Sequence, residues 1–468
     1  MPETKGLLLS EKEAKLRMFI LNDSMFKVIL KIGLPIAFFQ GLNNLLRVLD
    51  AFMATSIDGV AASMVTYFSQ MNLIVSGLGL GLATGATLKI SQMYGKGDYE
   101  TVKKQISSIF AFAVLFCLAL LMLMMPLTTP LLRFMNTPAE FVILGRNYFL
   151  IEFVGTMLMI LNGIYIALER VQGNAKRILN MNLVAMVIRL SFTAFSVYIL
   201  NEGVTFIAIS TLLSQSFIFI VGLYHLIGKS EVFTISPKDV TFKKGILWPM
   251  VIISIPIMIE RSAFHVGKTV VNTMITGFGS LVVGGLGISN LICGVSVAPQ
   301  MGFQDAAISI KAQNLGAGEY KRVIEAFKAI LIINTVQAIV FFLPSFIFAR
   351  QITGLFAIGD PIFHDILYAV HRLDIWSILF LGAYSAVMAL LFGLGYTKLT
   401  LLLNFCRIFL FRIPVLWYLQ TFTRMGAEAA GLVMTFSNIA VSLLSMMVGI
   451  SCIARLCKKY EISFWQIA

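Results

Sequence analysis

The sequence predicts an all-α integral membrane protein. About twelve transmembrane helices are expected, in two six-helix lobes related by a pseudo-twofold along the membrane normal. Three observations carry this expectation. Of 468 residues, 58% are hydrophobic and only 13% charged, against roughly a quarter charged in soluble domains. The apolar residues gather into twelve runs, each close to or beyond the ~20 residues a spanning helix needs. The two halves of the chain also repeat each other at a nearly constant offset. This composition excludes a disordered chain, a collagen-like repeat and a coiled coil. The net charge of +13 reads, in a membrane protein, as loops kept in the cytosol rather than as a nucleic-acid surface.

The first run, 28–53, contains Pro35, Arg47 and Asp50. The second, 61–89, carries Gly77, Gly81 and Gly85 at i, i+4 and i+8, a smooth face for close approach of a neighbouring helix. Gly95 and Gly97 follow it and are expected to end the helix in a tight cytosolic turn. Runs at 106–131, 146–168, 178–200 and 204–227 complete an amino-terminal lobe, residues 1–228. The polar stretch 229–245, with Pro237, reads as a cytosolic linker. A carboxy-terminal lobe, 246–468, holds runs at 247–277, 283–310, 327–349, 375–393, 399–423 and 427–454. None alternates strictly and all are too long for barrel strands, so helices are expected throughout. Placing both termini in the cytosol puts 23 of the 36 Lys and Arg on that side and five outside, which sets the orientation. The first 24 residues mix both charges with no apolar leader core, so no cleaved signal peptide is expected.

The repeat is specific. Gln92-Met-Tyr-Gly95-Lys-Gly97-Asp-Tyr99 recurs as Gln313-Asn-Leu-Gly316-Ala-Gly318-Glu-Tyr320, an offset of 221. At that offset Pro35 falls on Pro256 and Gly81 on Gly302, while Gly173 and Asn182 match Gly395 and Asn404 at 222. Each half has an even number of spans and inserts the same way up. That is the parallel-repeat plan of transporters, with the transport site between the halves.

Ionisable residues at membrane depth are costly to insert and therefore point to function. Asp50 lies 19 residues beyond Lys31, about 28 Å along a helix. With Arg47 one turn earlier it reads either as a local ion pair or as a proton- or cation-binding carboxylate. Glu260 falls near the middle of the seventh span, where burial would favour reversible protonation; Arg261 points to another face. Asp305 and Glu152 read equally as satisfied polar contacts or as ligands. Arg189, Lys268, Arg407 and Arg412 add positive charge at depth, bracing helices or drawing an anionic group. Lys89 and Lys311 are expected to snorkel to the inner interface. The five cysteines read as free thiols. The four histidines are scattered, with no pair spaced for a metal. No Walker A pattern appears, so transport powered by the chain's own ATP hydrolysis is not expected.

Together these residues resemble the multidrug and toxic compound extrusion (MATE) family. The resemblance rests on Leu34-Pro35, Leu49-Asp50, the glycine run Gly79 to Gly85 leading into Gln92 and Gly97, and Pro299, Gly302 and Gln313 to Gly318. Arg170, Gln172-Gly173 and Arg407 to Arg412-Ile-Pro414 extend it, and Ile255-Pro256 with Glu260 is similar to the DinF-like branch. The resemblance covers essentially the whole chain. It implies a plasma-membrane antiporter that exports amphipathic, often cationic, compounds in exchange for H⁺ or Na⁺, acting as a monomer without an organic cofactor. It also implies that Asp50 and Glu260 bind the coupling ion; the other charged residues at depth, Arg47, Arg189, Arg261, Lys268, Asp305 and Arg407, are expected from their position to line the substrate cavity. The family's fifth-span Asn and Asp fall here on Arg189 and Thr193, and its tenth-span Asp on Ala383. A second reading therefore stands beside cation export: a flippase or exporter for an anionic or lipid-linked substrate. A membrane-embedded transferase or protease would need clustered catalytic groups, which the sequence does not offer.

Overall fold

The computed structural model describes residues 7–55, 59–134, 139–200, 205–228, 231–357 and 359–462, with side chains outside 47–67, 69–70 and 131–144. Its secondary structure among these is helical, without strands. A short amino-terminal helix α1 (Glu11–Asn22) precedes α2 (Met25–Thr55), α3 (Gly59–Lys96), α4 (Tyr99–Phe134), α5 (Ala139–Gln172), α6 (Ala175–Tyr198) and α7 (Thr205–Gly228). The second half holds α8 (Trp248–Ile275), α9 (Ser280–Gly316), α10 (Tyr320–Ile347), a short α11 (Ala349–Gly354), α12 (Pro361–Asp374), α13 (Ser377–Gly393), α14 (Thr397–Phe405), α15 (Ile413–Phe422) and α16 (Glu428–Tyr460). Among the described residues eleven helices are long and apolar enough to cross a bilayer, and α12 with α13, bent by 43°, makes twelve when taken as one span. The tenth span thus starts at Pro361 rather than near 375. The eleventh is built from α14, one π-helical turn at Cys406–Leu410, and α15. Pro414 sits in the first turn of α15, where its missing N–H has no intrahelical acceptor to lose.

Repeat-related glycines make repeat-related turns. Gly97 and Gly318 adopt φ of +82° and +83°, and Gly173 and Gly395 adopt +80° and +81°. After α3, Gly97 N donates to Tyr94 O and Asp98 N to Met93 O; after α9, Gly318 N donates to Leu315 O and Glu319 N to Asn314 O. This is the Schellman pattern, which a left-handed glycine closes without strain. Gly97 and Gly318 are therefore the terminating glycines. Gly95 and Gly316 remain inside their helices, and the Gly95 carbonyl accepts from Arg17 Nη2 at 2.9 Å.

The chain groups into two compact units: Met1–Phe19 with Leu45–Ser262, and Ile20–Asn44 with Ala263–Ala468. Each thus includes the opening half of one span, α2 or α8, from the other half of the sequence. In the first unit the expected glycine face of α3 meets α8. A Cβ on Gly77 would lie 2.9 Å from Ser262 N, one on Gly81 2.5 Å from Met258 N, and one on Gly85 2.9 Å from Ser254 Cα. In the second unit Gly302 of α9 meets α2 in the same way, its missing Cβ 2.4 Å from Ala37 Cα, and Gly33 meets Phe303 and Ala306. Residues 37 and 258 differ by the same 221 as Gly81 and Gly302, so the duplication preserved a helix crossing and not only a motif. The second unit is organised around α13, which packs on α9, α10 and α16 and has 14 of its 17 residues buried, as expected of a helix apolar on every face.

Candidate functional site

The expected site residues divide between the two units. Asp50 and Arg47 lie on α2, outside the residues whose side chains are described. Glu260 sits on α8 in the first unit and is only 3% exposed. Beside it, the backbone of Arg261 and Ser262 is where Gly77 allows α3 to close in, and Ser262 Oγ donates to Ile74 O at 2.9 Å. Arg189 on α6 and Glu152 on α5 are half-buried in the same unit. Thr193 donates to Ser210 Oγ at 2.7 Å. In the second unit Asp305 on α9 accepts from Gln40 Nε2 at 3.4 Å, Lys268 is half-buried on α8, and Arg407 lies in the π-helical turn.

Lys311 overturns an expectation. Instead of snorkelling to the interface it is fully buried on α9, because Gly393 of α13 packs against its stem and the Phe327 ring covers the ammonium at 5.6 Å. Only the glycine makes room, since a Cβ there would lie 2.7 Å from Lys311 Cβ.

Around Arg407 the second unit assembles a buried polar network. Asn438 Oδ1 on α16 accepts from Arg407 Nε at 2.9 Å and from Arg412 Nη2 at 3.2 Å, and Arg412 Nε donates to Ser437 Oγ at 3.0 Å. The Arg407 guanidinium also lies over the Phe264 and Tyr384 rings, 5.3 and 5.6 Å from their centroids, and Tyr384 Oη donates to Asn404 Oδ1 at 2.7 Å. Arg412 is buried and Arg407 partly exposed. Both hydrogen-bond to neutral acceptors. The π-helical turn re-aims Arg407 toward α16, a use typical of such turns at functional positions.

Asp374 ends α12 at the bend of the tenth span and is 3% exposed. Its Oδ2 accepts from Ser289 Oγ at 2.9 Å and from Cys293 Sγ at 3.7 Å, and its Oδ1 accepts from Ser377 Oγ at 3.2 Å. Ser289 Oγ also lies 3.1 Å from Nδ1 of His371, which is fully buried one turn earlier on α12. Among the described residues no group of three or more His, Cys, Asp or Glu is arranged to hold a metal ion.

His371 and Asp374 escaped the sequence reading because Arg372 interrupts the apolar pattern and moved both into an outer segment. Two signals were present. Asp360-Pro361 is a helix-start pair, realised here as Asp360 Oδ1 accepting from Phe363 N at 2.9 Å. Ser289 and Cys293 stand one turn apart on α9, spaced to present polar atoms to a facing helix. Asn438 carried no comparable signal.

A family model described as MatE matches residues 35–195 and 256–418, one copy in each half. The chain is 23% identical over 398 residues to "Probable multidrug resistance protein YoeA" of Bacillus subtilis, covering 82% of this chain and 84% of that protein. It is 19% identical over 411 residues to an "FAD transporter" of Shewanella oneidensis, covering 85% and 88%. Among solved structures it resembles one titled "Outward-facing conformation of a multidrug resistance MATE family transporter of the MOP superfamily", with a TM-score of 0.88, 18% identity, and coverage of 98% of this chain and 100% of that one.

Proposed function

This chain belongs to the MatE family, whose members are transporters and not enzymes, and on that premise we propose that it is a secondary active antiporter. It exports amphipathic, cationic drugs or metabolites in exchange for H⁺ or Na⁺ by alternating access. Its place is the cell membrane, as a monomer with both termini cytosolic. Residues 1–228 and 246–468, joined by 229–245, are its two inherited lobes. The observation that carries the reading is a carboxylate, Glu260, buried to 3% exposure inside a spanning helix of a transporter family. An ionisable side chain at membrane depth is costly to insert and so marks a functional position, and the role we assign to Glu260 is to load and release a coupling ion. Asp50 is its partner in coupling, and Arg189, Arg261, Lys268 and Asp305 contact the substrate. Ion binding drives the change of state because its affinity differs between the two states. One charge crossing 100 mV supplies ~2.3 kcal/mol, enough for roughly fifty-fold accumulation.

A second reading has its own support. Arg407 and Arg412 converge on neutral acceptors, which leaves a surplus of buried positive charge suited to a carboxylate or phosphate, and one relative is named a transporter of FAD, a dinucleotide. Proteoliposomes loaded in parallel with ethidium and with FAD separate the two. Ion-driven movement of ethidium alone supports cation export. Movement of FAD alone, abolished by Arg407→Gln, replaces that reading with anion export.

A further inference from the structure

We propose that Nε2 of His371 is a proton-binding site of the second unit, with Asp374 as its counter-charge and the Ser289 hydroxyl as the bridge between them. The site deepens the antiport reading and rests on it for its role in coupling.

The argument is a count of hydrogens. Ser289 has one hydroxyl proton and gives it to Asp374 Oδ2 at 2.9 Å. The contact of 3.1 Å between Ser289 Oγ and His371 Nδ1 then needs a hydrogen from the imidazole, because the serine has no second one to give. Neutral His371 is therefore the Nδ1–H tautomer, and its Nε2 presents a bare lone pair. That nitrogen is buried and has no hydrogen-bond partner among the described residues. A buried acceptor without a donor is destabilised by the loss of its hydration. A proton arriving at Nε2 needs no bond broken elsewhere: it converts imidazole to imidazolium, whose Nδ1–H keeps its bond to Ser289 Oγ while Ser289 keeps its own to Asp374, so the new positive charge, spread over the ring, is answered by a carboxylate already in place.

Asp374 suits the part of fixed counter-charge rather than of cation ligand. Its oxygens already accept from hydrogen-bearing atoms of Ser289, Cys293 and Ser377, whereas the imidazole Nε2 is the acceptor left vacant. Its position at the break between α12 and α13 matches the way discontinuous spans place ionic groups inside transporters.

The surrounding charges set the consequence. On α12 itself Arg372 pairs with Glu428 of α16, and Arg350 of α11 pairs with Asp365, all at exposed positions; His364 lies at that same far end, against Thr353. From α9 the nearby titratable group is Cys293, and α13 carries Tyr384, whose hydroxyl is bonded to Asn404. The eleventh span carries Arg407 and Arg412, held by Asn438 and Ser437, and α8 carries half-buried His265 and Lys268. Among the described residues no other cation hydrogen-bonds to Asp374, so a proton on His371 places its charge next to that carboxylate.

The test reads protonation without transport. Full-length protein with ¹⁵N-labelled histidine has four imidazoles, and His371→Gln identifies the signal of interest by its loss. From ~pH 8.5 down to ~pH 5.5, where imidazoles change charge, the His371 signal should pass from the Nδ1–H tautomer to imidazolium. Asp374→Asn should abolish that passage over the same range. An Nε2–H tautomer at high pH, or a His371 signal unchanged by pH in the wild type, overturns the proposal; should His371→Gln not fold, substituting His225, His265 and His364 one at a time assigns the remaining signal to His371. In proteoliposomes, His371→Gln should lose most of the pH dependence of ethidium efflux while Asp365→Asn keeps it. If His371→Gln keeps the full pH dependence, the coupling role is overturned even where the titration is seen. Wild-type vesicles without any proton-driven efflux instead sink the antiport reading, and the imidazole signal still decides the site.

Discussion

Substituting Gly302 by Ala should destabilise the protein, although alanine is the better helix former. An added Cβ would stand 2.4 Å from Ala37 Cα, 2.6 Å from Ala37 N and 2.9 Å from the Ile36 carbonyl carbon. All three are backbone atoms, so no side chain can swing aside, and α2 must retreat by about 1 Å to restore contact distance. Overpacking of this kind costs roughly 1–3 kcal/mol, partly offset by the ~0.5–1 kcal/mol that alanine gains over glycine inside a helix. The net loss is about 1–2 kcal/mol, or roughly 2–8 °C at the scaling of a domain this size. Gly287, on the same helix with nothing within 4 Å of its would-be Cβ, is the control; Gly287→Ala should hold or raise the melting temperature. Thermal unfolding of detergent-purified protein with a thiol-reactive dye reads the difference, since Cys117, Cys293 and Cys452 are buried. By the repeat, Gly81→Ala should behave like Gly302→Ala against Met258. Equal stability of Gly302→Ala and Gly287→Ala would refute the reasoning.

Asn438→Ala should remove the acceptor shared by Arg407 and Arg412 and cost about 2–4 kcal/mol, because two charge-assisted hydrogen bonds are lost; Asn438→Asp should keep or raise the melting temperature in the same dye assay. Gly318→Ala forces a side chain into φ of +83° and should cost about 1–2 kcal/mol, whereas Gly316→Ala, inside the helix, should not. Arg322→Ala should loosen the start of α2, since Arg322 Nη2 holds the carbonyls of Ile20 and Asp23 at 3.1 and 2.6 Å. Faster amide exchange near residues 20–25 in the variant would check it.

The spans and their order were legible because a bilayer demands a long apolar run for every crossing, and the repeat was legible because the turn after α3 needs a left-handed glycine just as the turn after α9 does. The face of Gly77, Gly81 and Gly85 was readable as a close contact, but not its partner; only packing reveals that α8 fills it. Hydropathy failed where polarity is internal. Lys311 looked like an interfacial lysine until Gly393 and Phe327 closed over it, and His371 and Asp374 looked like loop residues because Arg372 beside them points outward. A one-dimensional pattern averages the two faces of a helix, and the network around Asn438 is built from five helices whose polar atoms meet only in three dimensions.

The central claim is that an ion gradient drives export through Asp50 and Glu260. Ethidium efflux from proteoliposomes, started by imposing a proton or a sodium gradient, tests it most directly. The account predicts that one of the two gradients accelerates efflux in the wild type and that Asp50→Asn combined with Glu260→Gln abolishes the acceleration while leaving the protein folded. Undiminished gradient-driven efflux in the double variant would contradict it.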